Sequence, residues 1–122
     1  MLIDTHILAW IGSSDDRLST NVRQAITNAG ERLFVSSVIA FEYIDLLQRG
    51  RFKDPVTFEQ LMDVLEFAVL GFPHDAWRVA ETLPLIHRDP IDRMLVAHAL
   101  SLDMPIVTAD EQIRQYAVRT IW

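Results

Sequence analysis

Short apolar runs of strand character alternate with longer segments of helical period along the 122 residues, and this alternation constrains the fold more than any other feature. It predicts a parallel sheet covered by helices, because parallel neighbours need a long crossover between them. Leu2-Ile3 opens the first strand, Leu33-Phe34-Val35 the second, Val69 to Phe72 a weaker third, Ile106-Val107 the fourth and Val118 to Trp122 the fifth. Helices are expected from about Thr20 to Asn28, Val38 to Arg49, Val56 to Ala68, Asp75 to Leu83 and Pro90 to Leu102. Gly30 and Gly50 stand where helix C-termini commonly take a left-handed residue, and Pro105 separates the last helix from its strand. No repeat, low-complexity tract or linker interrupts the pattern, so one compact α/β domain over residues 1–122 is expected.

Composition narrows the class. No apolar run approaches the roughly 20 residues that span a bilayer, and Met1-Leu2-Ile3-Asp4 lacks the basic stretch and apolar core of a secretory signal. No cysteine is present, which removes disulfides and thiolate metal sites. A cytoplasmic protein with no membrane association is the expectation. The net charge of −6 looks unpromising for a nucleic-acid binder. If four of the 17 acids are metal ligands, the remaining 13 nearly balance the 11 basic residues, and a bound divalent ion neutralises the cluster further. Ten of those eleven are arginine, the type suited to bidentate phosphate contact, although codon bias gives the same count.

Four acids fall where ligands collect in open α/β sheets, outside the carboxyl ends of the strands. Asp4 ends the first strand and Asp110 follows the fourth, so they become neighbours if those two strands pair. On the helix from Pro90, Asp92 shares its face with Leu95, Val96 and Ala99, the face that should meet the sheet. A carboxylate there is costly unless hydrogen-bonded, protonated or bound to metal. Glu42 sits between Val38 and Leu46 on its own helix. Each has a plainer explanation: Asp92 capping free amides, Glu42 at a solvated edge near an Asp45–Arg49 pair, Asp110 capping a short following helix. Their joint placement favours an oxygen-ligand site for Mg²⁺ or Mn²⁺.

Within Asp89-Pro90-Ile91-Asp92, Pro90 fits the first helical position, which makes Asp89 the N-cap and sends Asp92 toward the strand ends. His6, His74, His87 and His98 show no close ligand spacing, so zinc is not expected. Trp10, Trp77 and Trp122 suit packing better than base stacking.

Five segments in order resemble one family. They are Leu2-Ile3-Asp4-Thr5-His6, Val35-Ser36-Ser37 with Glu42, His87 to Ala97, Ile106 to Asp110, and the ending Val118 to Trp122. The chain resembles PIN-domain nucleases, particularly the VapC toxins of bacterial type II toxin–antitoxin pairs. The resemblance implies a three-layer α/β/α sandwich with a parallel sheet of four or five strands. It implies Asp4, Glu42, Asp92 and Asp110 as the metal-binding, catalytic acids, with Thr108 supporting them and Asp89 and Arg93 belonging to the motif. A Lys often follows the Glu by four residues in similar toxins, where this chain has Leu46, and a Gln often stands at His98. These departures bear on substrate choice. An antitoxin occupying the cleft and homodimers through helical faces are implied as well.

The reaction expected is hydrolysis of RNA phosphodiesters with one Mg²⁺ or two, Mn²⁺ substituting, to activate water and stabilise developing charge. Asp4 and Asp92 are the first choices as ligands; Glu42 and Asp110 bind a second ion, hold waters or act as base. Arg49, Arg51 and Lys53, past a helix end, are candidate phosphate contacts or an ordinary solvated turn. The main alternative is a non-catalytic PIN-like module that binds RNA or protein. A haloacid-dehalogenase-like phosphatase would want an acid at His6, and a receiver-like domain would want paired N-terminal acids.

Overall fold

The computed structural model describes residues 1–28 and 32–122. Gly30, expected at a helix end, lies outside the described residues. The strands are β1 (Leu2–Ile3), β2 (Phe34–Ser36), β3 (Ala68–Leu70), β4 (Ile106–Val107) and β5 (Thr120–Ile121). The helices are α1 (Thr5–Gly12), α2 (Thr20–Thr27), α3 (Ser37–Gln48), α4 (Phe58–Leu65), α5 (Trp77–Thr82) and α6 (Pro90–Ser101), with a 3-10 turn at Ile113–Gln115.

All five strands run parallel in the order β3-β2-β1-β4-β5, flanked by helices as the alternation of segments requires. Leu2 pairs with Ile106 and Ile3 with Val107, and the Asp4 amide donates to the Val107 carbonyl at 3.1 Å. The chain order reverses direction across the sheet at β1. The gap between β1 and β4 is therefore the topological switch point, where such sheets bind ligands. Leu2, Ile3, Val35, Ile106 and Val107 are completely buried, which fits strands covered on both faces.

Helix α6 is the most enclosed, with Leu95 to Ala99 all buried. Asp89 is its N-cap, accepting the Ile91 N–H at 2.8 Å, and Pro90 occupies the first turn. Helix α3 ends at Arg49 with Gly50 left-handed at φ 65°, the conformation expected there. Helix α4 is shorter than the segment Val56 to Ala68, because Thr57 and Gln60 form a capping box and Glu66 turns left-handed at φ 52°.

One element was not expected. Thr5 to Ile11 is nearly continuous in apolar and β-branched residues, which gives no polar face to mark a helix and extends the strand pattern of Leu2-Ile3. It forms α1 because the chain must turn back over the sheet, burying Thr5, Ile7 and Leu8 while Gly12 approaches α4 closely. A Cβ at Gly12 would stand 3.3 Å from Leu61 and Val56.

Candidate active site

β1 and β4 end side by side, and their next residues make the first contact of the site. Thr108 Oγ1 donates to Asp4 Oδ2 at 2.6 Å, and both side chains are buried, Asp4 to 2% exposure. Thr108 Oγ1 also accepts the Asp110 amide at 3.0 Å, which fixes the turn that presents Asp110. Asp4 occupies the cap position of α1 without capping it, so its carboxylate is committed to the strand end.

The N-terminus of α6, the first turn of α1 and the second turn of α3 complete the cluster. Thr5 Oγ1 donates to Glu42 Oε2. Asp92 leaves capping to Asp89, and its Oδ2 lies 3.3 Å from His87 Nε2. Asp110 divides its two oxygens. Oδ1 accepts the amides of Gln112 at 2.6 Å and Ile113 at 3.1 Å, and Oδ2 lies 3.2 Å from His87 Nε2. One Asp110 oxygen thus serves the amides of the following turn, and the other is turned toward His87.

The electrostatics separate these acids. Burial pushes the Asp4 carboxyl up, and the Thr108 hydrogen bond only partly offsets it. Burial raises Glu42 as well, against the Thr5 hydrogen bond, with the charges of Asp89 and Asp4 adding to the rise. Asp92 is pushed up to about 7 by burial, with the negative charge of Asp4 the next cause and Asp89 and Glu42 contributing. Asp110 moves the other way. Burial would raise it, but hydrogen bonds from His87, Ile113 and Gln112 hold it below the ordinary value. Among the described residues, no arginine or lysine forms an ion pair with any of the four.

Such a set fits a hard divalent ion. Asp92 and Asp110 converge with His87 in one ligand-spaced group that contains neither Asp4 nor Glu42. The four acids are partly desolvated with no arginine or lysine among the described residues paired to them, a deficit that Mg²⁺ or Mn²⁺ can supply. His87, Asp92 and Asp110 bring one candidate ligand atom each within 4.8 Å of one another.

His87 is the residue that sequence reasoning undervalued. It has no ligand-spaced partner in the chain, and its contacts reach 5 and 23 residues away. Its place just before an Asp-Pro cap was the available signal. Thr5 and Tyr116 also enter the site unannounced, the latter because Tyr116 Oη accepts the His87 amide at 2.8 Å. Arg93 turns away from the carboxylates: its Nη1 donates to the Pro84 carbonyl at 2.8 Å and to Tyr116 Oη at 3.2 Å, bracing the segment that carries His87.

The expected phosphate contacts lie apart from the acids. Arg49 is exposed and paired with Asp45 at 2.6 Å. Arg51 and Lys53 line a groove of about 590 Å³ together with His6, Trp10 and Arg17 and with the acids Asp15, Asp16 and Asp54, and His6 also interacts with Asp4. His98, buried, lies 2.9 Å from Ser36 Oγ through Nδ1 and packs edge-on to Phe72.

Comparison with known proteins agrees with this architecture. The family model described as PIN domain matches residues 1–119. The chain is 29% identical over 119 residues to Ribonuclease VapC22 of Mycobacterium tuberculosis, covering 95% of this chain and 91% of that protein. Among solved structures it resembles VapBC2 from Rickettsia felis bound to a promoter DNA fragment, with a TM-score of 0.71 and 12% identity over 98% of this chain and 95% of the other. DNA-bound VapBC from Salmonella typhimurium is similar at a TM-score of 0.68 and 18% identity, covering 98% and 94%. The matched family model spans the strand ends and all four acids, and the chain belongs to the PIN-domain family.

Proposed function

We propose that this protein is a divalent-metal-dependent endoribonuclease acting as the toxin of a cytoplasmic toxin–antitoxin pair. The observation that carries the reading is a set of carboxylates at the switch point, three of them raised by burial, with no arginine or lysine among the described residues paired to them. Leaving such groups unpaired is expensive, and a binding module has no use for the expense. The relative named Ribonuclease VapC22 supports RNA as substrate, and the VapBC assemblies of the two structural neighbours support an antitoxin partner. No helix among the described residues is long and apolar enough to cross a membrane.

Asp4 and Asp92 are assigned as direct ligands of Mg²⁺ or Mn²⁺, with Glu42 and Asp110 completing the set. When bound, the ion supplies Lewis acidity toward the phosphodiester and toward the attacking water. Thr108 orients Asp4 by holding Oδ2. Thr5 orients Glu42 by holding Oε2, and the raised proton affinity of Glu42 suits it to accept a proton from water. Asp110 offers only Oδ2, because the chain's own amides take Oδ1. Arg51 and Lys53 in the groove, with Arg49 outside it, are assigned to the RNA backbone. Apolar residues exposed on α3 and α4, Phe41, Ile44 and Val64, supply the helical faces for pairing of two copies.

Cleavage mapping on RNA tests the reading. The wild type should cut with Mg²⁺ or Mn²⁺, stop with EDTA, and be silenced by Asp4→Asn; a co-expressed neighbouring antitoxin should suppress toxicity. Cleavage that survives both EDTA and Asp4→Asn overturns it.

A further inference from the structure

His87 holds the most closely specified position in the molecule that the proposed reaction does not use. The Asp89 amide donates to His87 Nδ1 at 3.0 Å, so Nδ1 presents its lone pair and the ring carries its proton on Nε2. That Nε2–H donates to Asp110 Oδ2 at 3.2 Å, and Asp92 Oδ2 stands 3.3 Å from the same nitrogen as a close ion-pair contact. The backbone is held in turn by Tyr116 Oη on the His87 amide, and Arg93 ties Tyr116 to the Pro84 carbonyl. A ring placed this way is a directed donor to Asp110 with the Asp92 carboxylate close to the same nitrogen.

A metal ligand needs the opposite tautomer. Nε2 can bind an ion only through its lone pair, which would put the proton on Nδ1 and aim it at the Asp89 N–H. Two donors would then face each other across 3.0 Å. The N-cap leaves the Asp89 amide little freedom to turn away, because the Asp89 carboxylate is bound to the Ile91 amide at 2.8 Å.

We propose that the His87 Nε2–H is a built-in stand-in for the metal: it donates to Asp110 with the Asp92 carboxylate beside the same nitrogen, holds the pair assembled, and is displaced when a divalent ion takes the same oxygens. The inference rests on the four-acid reading above and assigns His87 a positioning role rather than ligation. Competition lowers the apparent metal affinity by whatever the displaced hydrogen bonds are worth. It also gives the site two discrete arrangements, one closed by the ring and one by the ion.

The test measures Mn²⁺ binding by calorimetry at one fixed pH on the full chain as wild type, His87→Ala, His87→Gln and Asp4→Asn. Histidine ¹⁵N NMR of the wild type during a Mg²⁺ titration accompanies it. We expect the Nε2–H tautomer before Mg²⁺ is added and a shift of the His87 signals as the site fills. His87→Ala should bind Mn²⁺ more tightly, by about tenfold, with His87→Gln between it and the wild type because the amide keeps a donor. Weaker binding in His87→Ala makes the ring a ligand and overturns the proposal. Unchanged binding makes it a bystander and overturns it equally. The NMR arm needs no variant to fold: His87 signals unmoved at saturating Mg²⁺ overturn the proposal on their own. If Asp4→Asn binds Mn²⁺ as well as the wild type does, the four-acid reading falls and takes this inference with it. Loss of binding in Asp4→Asn combined with weaker binding in His87→Ala overturns the inference alone.

Discussion

Two groups of acids in this molecule move in opposite directions. At the strand ends, Asp4, Glu42 and Asp92 are pushed up by burial, with neighbouring carboxylates adding to the rise. On the outer surface, Asp15 is lowered to about 2 by hydrogen bonds from Arg17, and Asp45 is lowered by its hydrogen bond from Arg49. The same carboxylate is therefore a burden in one place and an ordinary surface group in the other. Arg17 illustrates the surface solution: it clasps both oxygens of Asp15, at 3.0 and 2.6 Å, and lies over the Trp10 ring. Among the described residues no arginine clasps the strand-end acids, and His87 donates to Asp110 with Asp92 3.3 Å from the same nitrogen. The difference teaches that the strand-end charges are not kept for stability.

The comparison breaks first on activity. Asp92→Asn should lose about 100-fold or more of the cleavage rate, since the lost ligand contributes several kcal/mol. Asp89→Asn should keep most of it, because asparagine caps nearly as well. Equal loss in both variants, each shown to be folded, would mean that Asp89 also serves the site.

Next comes the pH dependence of folding in chelator. A raised carboxyl binds its proton more tightly in the folded state, so stability falls as pH rises from about 4 toward the folded value of about 7 for Asp92. Allowing for its partial contact with solvent, Asp92 contributes on the order of 1–3 kcal/mol to that fall. The lowered surface acids act with the opposite sign, their contribution disappearing as pH drops below the ordinary aspartate range. Denaturant titrations from pH 5 to 8 should show the decline in the wild type and a flatter profile in Asp92→Asn. An identical slope in both removes Asp92 as its source.

How much of this was legible in the sequence depended on whether a signal was local. The Asp-Pro pair at Asp89-Pro90 fixes its own helix start, so the separation of Asp89 from Asp92 could be read directly. The neighbourhood of Asp4 and Asp110 needed only the pairing of β1 with β4, which follows from a parallel sheet with its order reversing at β1. Helix α1 was not legible, because Thr5 to Ile11 lacks an amphipathic period and Asp4 gives its carboxylate to Thr108 instead of capping. Arg93 falls within the segment His87 to Ala97, yet its target is a carbonyl and a tyrosine that no spacing rule names. A lone histidine carries still less local information: His87 acquires its meaning from Asp110, brought beside it by β4.

Smaller effects sharpen the contrast. Asp89→Ala should cost about 0.5–2 kcal/mol in a denaturant titration, the usual range for removing an N-cap, with the metal response intact. At the surface, Asp45→Asn should leave the melting temperature within error, since exposed pairs of this kind add little. Arg49→Ala should raise KM for RNA several-fold with kcat unchanged if the side chain meets phosphate. A change in kcat alone would remove it from that role.

Thermal melting of wild type and Asp92→Asn, each in EDTA and in saturating Mg²⁺, asks whether the strand-end acids are kept for an ion. Mg²⁺ should raise the wild-type melting temperature by binding the folded state. Asp92→Asn should melt at or above the wild type in EDTA, because a buried charge and its repulsions are gone, and below it in Mg²⁺. The two proteins should therefore exchange order. If Asp92→Asn melts well below the wild type in EDTA as well, Asp92 is a structural group and the carboxylates are not held in reserve for a metal.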